Sequence, residues 1–386
     1  MASRASRRTI CVINGKRGGF NALLPTMNAI AADPALTLQV LLTDMHLSDT
    51  FGRTLDYARQ FVDVTRTVPL DQAGDSPLQR TEALGRGLTR MAVALAELKP
   101  DLVLLLGDRS ETLVAACAAT QLRIPVAHVQ GGEISGNLDG IQRHAITKLA
   151  HVHFAETAAA HTRLLRLGEE PWRVSRVGAP YLDFIKLRLY TPGSRVRAAF
   201  DLAGDEPFLL VLMHPVTTEP EKSYAQMTQV LDAVRATQLR AIVAYPCSDQ
   251  GYQGIVEAIE ERRDDSRLAV HRNIPAEDFI GLEAEAAALV GNSSAGIYEA
   301  PYVHCPCVNV GKRQDGRERE SNVIDVPPRS RAIRNAIESA RTDSRFRRRL
   351  LKPRHIYGDG RAYTRIVGTL RRISLGSRLF EKRLTY

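Results

Sequence analysis

A few short segments of the chain hold residue types that could do chemistry. Gly107-Asp108-Arg109-Ser110-Glu111 and His128-Val129-Gln130-Gly131-Gly132-Glu133 each begin at the end of an apolar run, and each carries a carboxylate. A carboxylate at a strand end, facing a cleft, suits general acid–base work. The alternative for Asp108 or Ser110 is a helix N-cap. Glu133 begins a loop that runs to Asp139, and Arg143 and His144 open the helix expected after it. Asp139, Arg143 and His144 therefore belong near one helix N-terminus. Carboxylates with neighbouring cations fit proton transfer to and from a carbon beside a leaving phosphate; a plain surface loop is the alternative.

The second half of the chain holds the complement. His214, in Met213-His214-Pro215-Val216-Thr217-Thr218-Glu219, follows a strand and suits phosphate binding or acid catalysis, unless it is a cap. Gly291-Asn292-Ser293-Ser294-Ala295-Gly296 opens a helix carrying Glu299. Small hydroxyl residues and free N–H groups at a helix start make an anion cradle, and a Glu one turn on suits a ribose diol. Gly311-Lys312-Arg313-Gln314-Asp315-Gly316-Arg317 adds cations. Near the start, Gly15-Lys16-Arg17-Gly18-Gly19 has glycines for close backbone approach and two cations for a phosphate. It is neither GxGxxG nor a P-loop, and a plain turn is the alternative. A diphosphate cradle in one domain and a carboxylate cluster in the other point to a nucleotide-sugar enzyme.

These residues need strands to carry them. Apolar, β-branched runs predict strands over 9–13, 36–42, 102–106, 125–129 and 152–155, with helices over 20–32, 111–121 and 142–150. Leu84, Leu88, Met91 and Leu95 mark a further helix that stops at Lys99-Pro100. Residues 181–205, with Pro192-Gly193, read as a connection. A second series predicts strands over 208–213, 241–245, 268–271, 287–290 and 307–310 and a helix over 224–236. The reading is an α/β chain of two Rossmann-like, doubly wound domains, residues 1–185 and 186–386, with the ligand in the cleft between them.

Length and composition agree: 386 residues suit two or three domains at roughly 150 residues each. Hydrophobic content of 44% and charged content of 25% exclude a disordered chain, a collagen-like fibre and a disulfide miniprotein. A net charge of +9 suits an anionic partner. With 6% aromatics and no recognisable motif, nucleic acid is not expected. The basic runs at Arg4, Arg7 and Arg8, at Arg345, Arg347, Arg348 and Arg349, and at Arg371, Arg372 and Lys382 read as solvated faces. The five cysteines include no CxxC pair, so buried thiols and no zinc site are expected. Without a signal core or a membrane-length apolar run, the expected location is the cytoplasm.

The chain resembles the UDP-N-acetylglucosamine 2-epimerases, in particular the hydrolysing branch that makes N-acetylmannosamine for sialic-acid-type sugars. The resemblance runs from about residue 9 to 370. It rests on Gly107-Asp108-Arg109, Gly131-Gly132-Glu133, Arg143-His144-Ala145-Ile146-Thr147-Lys148, the segment from His214 to Glu219 and Gly291-Asn292-Ser293-Ser294. Gly311 to Arg317, Asn322-Val323-Ile324-Asp325-Val326 and Tyr357-Gly358-Asp359-Gly360 complete it. It implies a GT-B-like fold whose last helix crosses back to the first domain. The implied reaction removes the C2 proton as UDP leaves C1, then adds water to the resulting 2-acetamidoglucal with inversion at C2. No metal or nicotinamide cofactor is implied. The partner is the nucleotide sugar, and a homodimer or homotetramer is expected.

By the same resemblance Asp108, Glu133 and Asp139 match the catalytic carboxylates. Asp108 or Glu133 is expected to take the C2 proton and Asp139 to serve water addition, with Arg143, His144 and His214 beside them. Arg17, His46, Arg109, Ser248, Asp249, Asn292, Ser293, Ser294, Gly296, Glu299, Arg313 and Arg317 are the expected substrate and nucleotide set. The chain also departs from the pattern. Gln130 stands where a His is usual, and Gly140 replaces an acid. Gly18-Gly19 lack an acidic neighbour, Asp44 replaces a Gly and Cys247 an Asn; the stretch from Glu133 to Asp139 is one residue short. These departures bear on substrate more than on reaction class: a GDP- or UDP-linked 2,4-diacetamido-trideoxyhexose is one alternative. A non-hydrolysing epimerase, a GT-B-type glycosyltransferase and a nucleotide-sugar binder without turnover are the others.

Overall fold

The protein is described here by a computed structural model covering residues 7–74, 76–135 and 138–386. The first sheet has seven strands: β1 (Arg8–Asn14), β2 (Leu36–Thr43), β3 (Arg66–Val68), β4 (Leu102–Leu106), β5 (Val126–Val129), β6 (Val152–Ala155) and β7 (Val174–Arg176). The second has six: β8 (Phe208–Leu212), β9 (Arg240–Ala244), β10 (Leu268–His271), β11 (Ala288–Gly291), β12 (Cys307–Val310) and β13 (Val323–Val326). Their orders are β3-β2-β1-β4-β5-β6-β7 and β10-β9-β8-β11-β12-β13, and every described pairing is parallel. Helices cover both faces, so central strands such as Leu102–Leu106 are apolar and buried at every position.

Both sheets wind outward in both directions from one point, between β1 and β4 in the first and between β8 and β11 in the second. There the connections part to opposite faces and leave a crevice at the strand ends. The loops with the chemistry, after β1, β4, β8 and β11, are the ones that flank these two points. This is the expected doubly wound, two-sheet architecture.

Several boundaries differ from the sequence reading. β3, β7 and β13 were not anticipated; each has only three or four residues at a sheet edge, too few for a period to register. The first helix spans Arg17–Ala32, so Gly18 and Gly19 lie inside its first turn rather than in a loop. Gly19 is required there: a Cβ would stand 2.7 Å from Asn14 Nδ2. The helix expected over 142–150 spans Leu138–Leu149, which puts Asp139 in its first turn and Arg143 and His144 in its second. Helix Pro77–Leu98 buries Ala83, Gly87, Met91, Ala94 and Leu95. Leu88, expected on the buried stripe, is 40% exposed, because the helix approaches through small residues and Leu70 fills the space over Gly87. The connection over 181–205 carries two helices, Tyr181–Lys186 and Gly193–Ala199.

The chain's last long helix, Ala362–Arg372, packs on helices Arg17–Ala32 and Tyr181–Lys186 of the first half. Its return is fixed at two points. The Tyr357 carbonyl accepts from the Ala179 amide at 2.7 Å, and Gly358, at φ +107°, lies so close to Gly178 that a Cβ would be 3.0 Å from its Cα. The Asp183 carboxylate then accepts from the Ala362 and Tyr363 amides at 2.8 and 2.7 Å, satisfying the helix's first N–H groups. Arg345, Arg347, Arg348 and Arg349 are exposed, while Arg4 lies outside the described residues. Among the described residues no helix is long and apolar enough to cross a membrane. Asp183→Ala removes the cap at the crossing; it is expected to cost about 1–2 kcal/mol, read as a lower midpoint in urea unfolding.

Candidate active site

β4 ends at Leu106, and the chain turns at once through Gly107, whose φ of +89° suits a glycine. His128, fully buried on β5, holds that turn: its Nε2 is 2.7 Å from the Gly107 carbonyl. Burial pushes the imidazole down to about 3, so the ring is neutral and donates this bond. The turn delivers Asp108, which is not a helix cap; the N-cap of helix Ser110–Gln121 is Arg109, without a side-chain bond. Asp108 pairs instead with Arg143, whose other Nη donates to the Gln130 carbonyl at 2.9 Å. Burial would raise the Asp108 carboxyl, but Arg143, Arg317, Lys16 and Arg313 together hold it below its ordinary value.

The other acids near Asp108 are driven the opposite way. Burial raises Glu133, against the pull of Arg317 and Arg143. Burial, with Asp108 and Asp249 close by, pushes Asp139 up to about 6. Glu156, one residue past β6, is pushed up to about 8 by burial and by Glu133. Its Oε2 accepts from Gln130 Nε2 at 3.2 Å, and the same amide donates to the Tyr298 hydroxyl at 2.9 Å. Neighbouring carboxyl groups with separated affinities for the proton are the usual basis of acid and base roles. The helix places Asp139 and Arg143 one turn apart on its inner face, whereas His144 is exposed to solvent. The expectation that His144 sits beside the carboxylates does not survive; it lies about 100° further round the helix than Arg143.

The facing loops come from the second sheet. After β8, the His214 amide donates to Asn292 Oδ1 at 2.7 Å and the His214 carbonyl accepts from Asn292 Nδ2 at 2.8 Å. Asn292 thus ties the ends of β8 and β11 together, and its side chain is occupied by that task. The Cys247 amide donates to His214 Nδ1 at 3.0 Å. Burial, with Arg313 and Lys16 nearby, keeps the ring neutral, so its proton stands on Nε2 as a donor. His214 lines an interdomain cleft together with the polar residues Lys16, Ser293, Ser294 and Glu299. Tyr245, Ile274, Phe279 and Ile280 supply an apolar end. Glu299 Oε2 is buried without a partner, and burial raises the carboxyl to about 7. Gly296 serves packing: a Cβ there would meet Cys307 Sγ at 2.2 Å.

Most other candidates join the two halves; Arg17 does so while also lining the cleft, and His46 is bonded within the first half. Arg109 donates to Asp249 Oδ1 at 2.6 Å and Ser248 Oγ at 2.6 Å across the interface, and to Glu111 at 2.6 Å and Asp44 at 3.0 Å within its own half. Arg80 reaches Asp44 and Glu111 from the other side. Arg17 donates to the Arg272 carbonyl and to Asn273 Oδ1, each at 2.8 Å. Arg313 lies 3.7 Å from Asp139 and 3.6 Å from Asp249. Arg317 donates to the Ile134 carbonyl at 3.2 Å and stands over the Tyr298 ring at 5.4 Å. His46 is buried with both ring nitrogens engaged, by Thr54 at 2.8 Å and Asn14 at 3.0 Å.

The structure also brings forward Glu156, which lay outside the expected residues, and Lys16, expected only as added charge in the first loop. Lys16 lines the cleft, and among the described residues its ammonium makes no hydrogen bond or ion pair; its charge acts on Asp108, His214 and Glu299. Glu156 carries the same signal that selected Asp108, a carboxylate just past a buried strand.

A protein-family model described as UDP-N-acetylglucosamine 2-epimerase matches residues 28–371. The chain belongs to the UDP-N-acetylglucosamine 2-epimerase family. It is 34% identical to a Legionella pneumophila protein named UDP-N,N'-diacetylbacillosamine 2-epimerase (hydrolyzing), over 97% of this chain and 98% of that protein. It is 32% identical to the Neisseria meningitidis UDP-N-acetylglucosamine 2-epimerase, over 88% of this chain and 89% of that protein. A crystal structure of the Neisseria meningitidis UDP-GlcNAc 2-epimerase bound to UDP-GlcNAc shares the fold, with a TM-score of 0.78 at 19% identity, covering 94% of this chain and 99% of that one. Arg109→Met would leave Asp44, Glu111 and Asp249 buried without their shared cation. The expected loss is about 3–5 kcal/mol, seen as a large fall in thermal midpoint.

Proposed function

We propose that the chain is a hydrolysing 2-epimerase of a UDP-linked 2-acetamido sugar. The observation that carries this is the meeting of the buried carboxyls Asp108, Glu133 and Asp139 with Arg313 and Arg317 of the second half, beside a cleft lined by Lys16 of the first half and by His214, Ser293 and Ser294 of the second. Asp108, held ionised by Arg143, takes the proton from C2. The C1–O bond breaks, its electrons leave with UDP, and the C1–C2 double bond of a 2-acetamidoglucal forms. Lys16, the Nε2–H of His214 and the serine hydroxyls stabilise the charge developing on the diphosphate. Asp139 takes a proton from water as its oxygen bonds to C1. Glu133, whose hold on its proton burial strengthens, returns a proton to C2 from the opposite face. The products are UDP and the free C2 epimer, with no net change of oxidation state. Glu299 meets the ribose diol, and the apolar end of the cleft takes the base.

The relatives named for diacetylbacillosamine support a 2,4-diacetamido-trideoxyhexose as the sugar. Five free thiols suit action in the reducing cytoplasm.

The purified chain, followed by NMR in deuterated water with UDP-N,N'-diacetylbacillosamine and with UDP-N-acetylglucosamine, should release UDP and a free 2-epimer deuterated at C2, faster from the former. Accumulation of a UDP-linked epimer would establish the non-hydrolysing reading instead. A base near 6 also sets a sign. kcat/KM should fall as pH drops through about 6, where Asp139 takes its proton. Asp139→Asn should lower kcat by roughly 10²–10⁴ and flatten that limb.

A further inference from the structure

A second large concavity opens on the side of the molecule where the C-terminal segment crosses back. Its walls come from the end of β7, the turn after helix Tyr181–Lys186, and the segment around Gly358. It shares no lining residue with the nucleotide cleft. At its floor lies Glu156, 1% exposed, whose Oε1 is buried with no hydrogen-bond partner among the described residues. A buried carboxyl oxygen left without a partner is costly unless a ligand or water completes it.

The rim is the opposite in character. Arg176, Lys186 and Arg188 line the pocket, are exposed, and make no side-chain hydrogen bond or ion pair among the described residues. The neighbouring Arg365, by contrast, is satisfied by Asp359 at 2.7 and 2.8 Å. Three unpaired cations around one opening create a positive potential that only an anion answers. Tyr190 and Tyr302 add half-buried aromatic faces between rim and floor. A cationic rim, aromatic walls and a hydrogen-bonding floor are the parts that recognise a charged carbohydrate.

We propose that this pocket is a second ligand site, which takes an anionic sugar: a hydroxyl on Glu156, the ring against Tyr190 and Tyr302, and a carboxylate or phosphate on Arg176, Lys186 and Arg188. The site is separate from the nucleotide cleft but joined to the catalytic carboxylates through one wall. Glu156 Oε2 accepts from the Gln130 side chain, and the Gln130 carbonyl accepts from Arg143, the partner of Asp108. A ligand that engages Glu156 therefore changes the hydrogen bonding behind the reacting groups.

Calorimetric titration of the full chain, with the cleft filled by saturating UDP, tests this. N-acetylglucosamine 6-phosphate and glucuronate are the charged probes and N-acetylglucosamine the neutral control. A charged probe should bind in the presence of UDP and the neutral sugar should not; whichever charged probe binds tighter identifies phosphate or carboxylate as the recognised group. Arg176→Glu with Arg188→Glu should weaken that binding at least ten-fold while leaving turnover of the nucleotide sugar unchanged, and Tyr190→Ala should weaken it without altering charge. The proposal is overturned if neither charged probe binds at millimolar concentration, if UDP displaces the probe, or if the double variant binds as the parent does.

Discussion

The guanidinium of Arg109 is gripped by groups from both sheets: Asp44 and Glu111 of its own half, Ser248 and Asp249 of the other. Neither half could bury these charges alone. Among the described residues, the cations paired with Asp44 and Glu111 are Arg80 and Arg109, and those paired with Asp249 are Arg109 and Arg313. Desolvated charges are tolerated when paired in good geometry and penalised heavily when they are not. The pairing therefore holds the halves at one separation. That separation brings Arg313 near Asp139 and Arg317 to the Ile134 carbonyl, and so sets the proton affinities of the carboxylates.

Topology explains why those charges meet at all. In each sheet the loops beside the winding point project past the strand ends, where no helix covers them. Facing the two points toward each other puts Gly15–Gly19 and Asp108 opposite His214 and Ser293. The return of the C-terminal helix onto the first half, seated by Asp183 and by the contact of Gly178 with Gly358, ties the two halves together a second time.

Much of this is legible in the residues. Buried parallel strands are continuous apolar runs, and a chemically useful residue just past such a run is placed by the topology before any coordinate is known. Asp108, His214, Ser293 and Glu299 were reached in this way. What the pattern does not carry is how each side chain is engaged. His46 and Asn292 have the right types in the right loops, yet their polar atoms are taken by Thr54, Asn14 and the His214 backbone. Arg17 and Lys16 are adjacent in sequence, but Arg17 reaches the carbonyl of Arg272 whereas Lys16 keeps its charge for the cleft. Helix starts were misplaced where small or turn-prone residues masked them, at Arg17 and at Leu138, and the second of these errors put His144 on the wrong face.

Gln130 shows how a departure from a family pattern is accommodated physically. A side-chain amide does not titrate near neutral pH, so a titrating role at this position has to lie elsewhere. The nearest group able to take it is Glu156, bonded to that amide and sharing its surroundings with Glu133. Two carboxyls in one dry enclosure cannot both ionise freely. With Glu156 retaining its proton to about pH 8, Glu133 faces a neutral neighbour at working pH. The amide of Gln130 then acts as a fixed donor, aligning Glu156 and Tyr298 while its carbonyl orients Arg143 toward Asp108. In this arrangement the proton inventory of the site depends on a residue outside the usual motif, and substitutions at Glu156 bear on the reaction through the proton affinity of Glu133 rather than through contact with the substrate sugar.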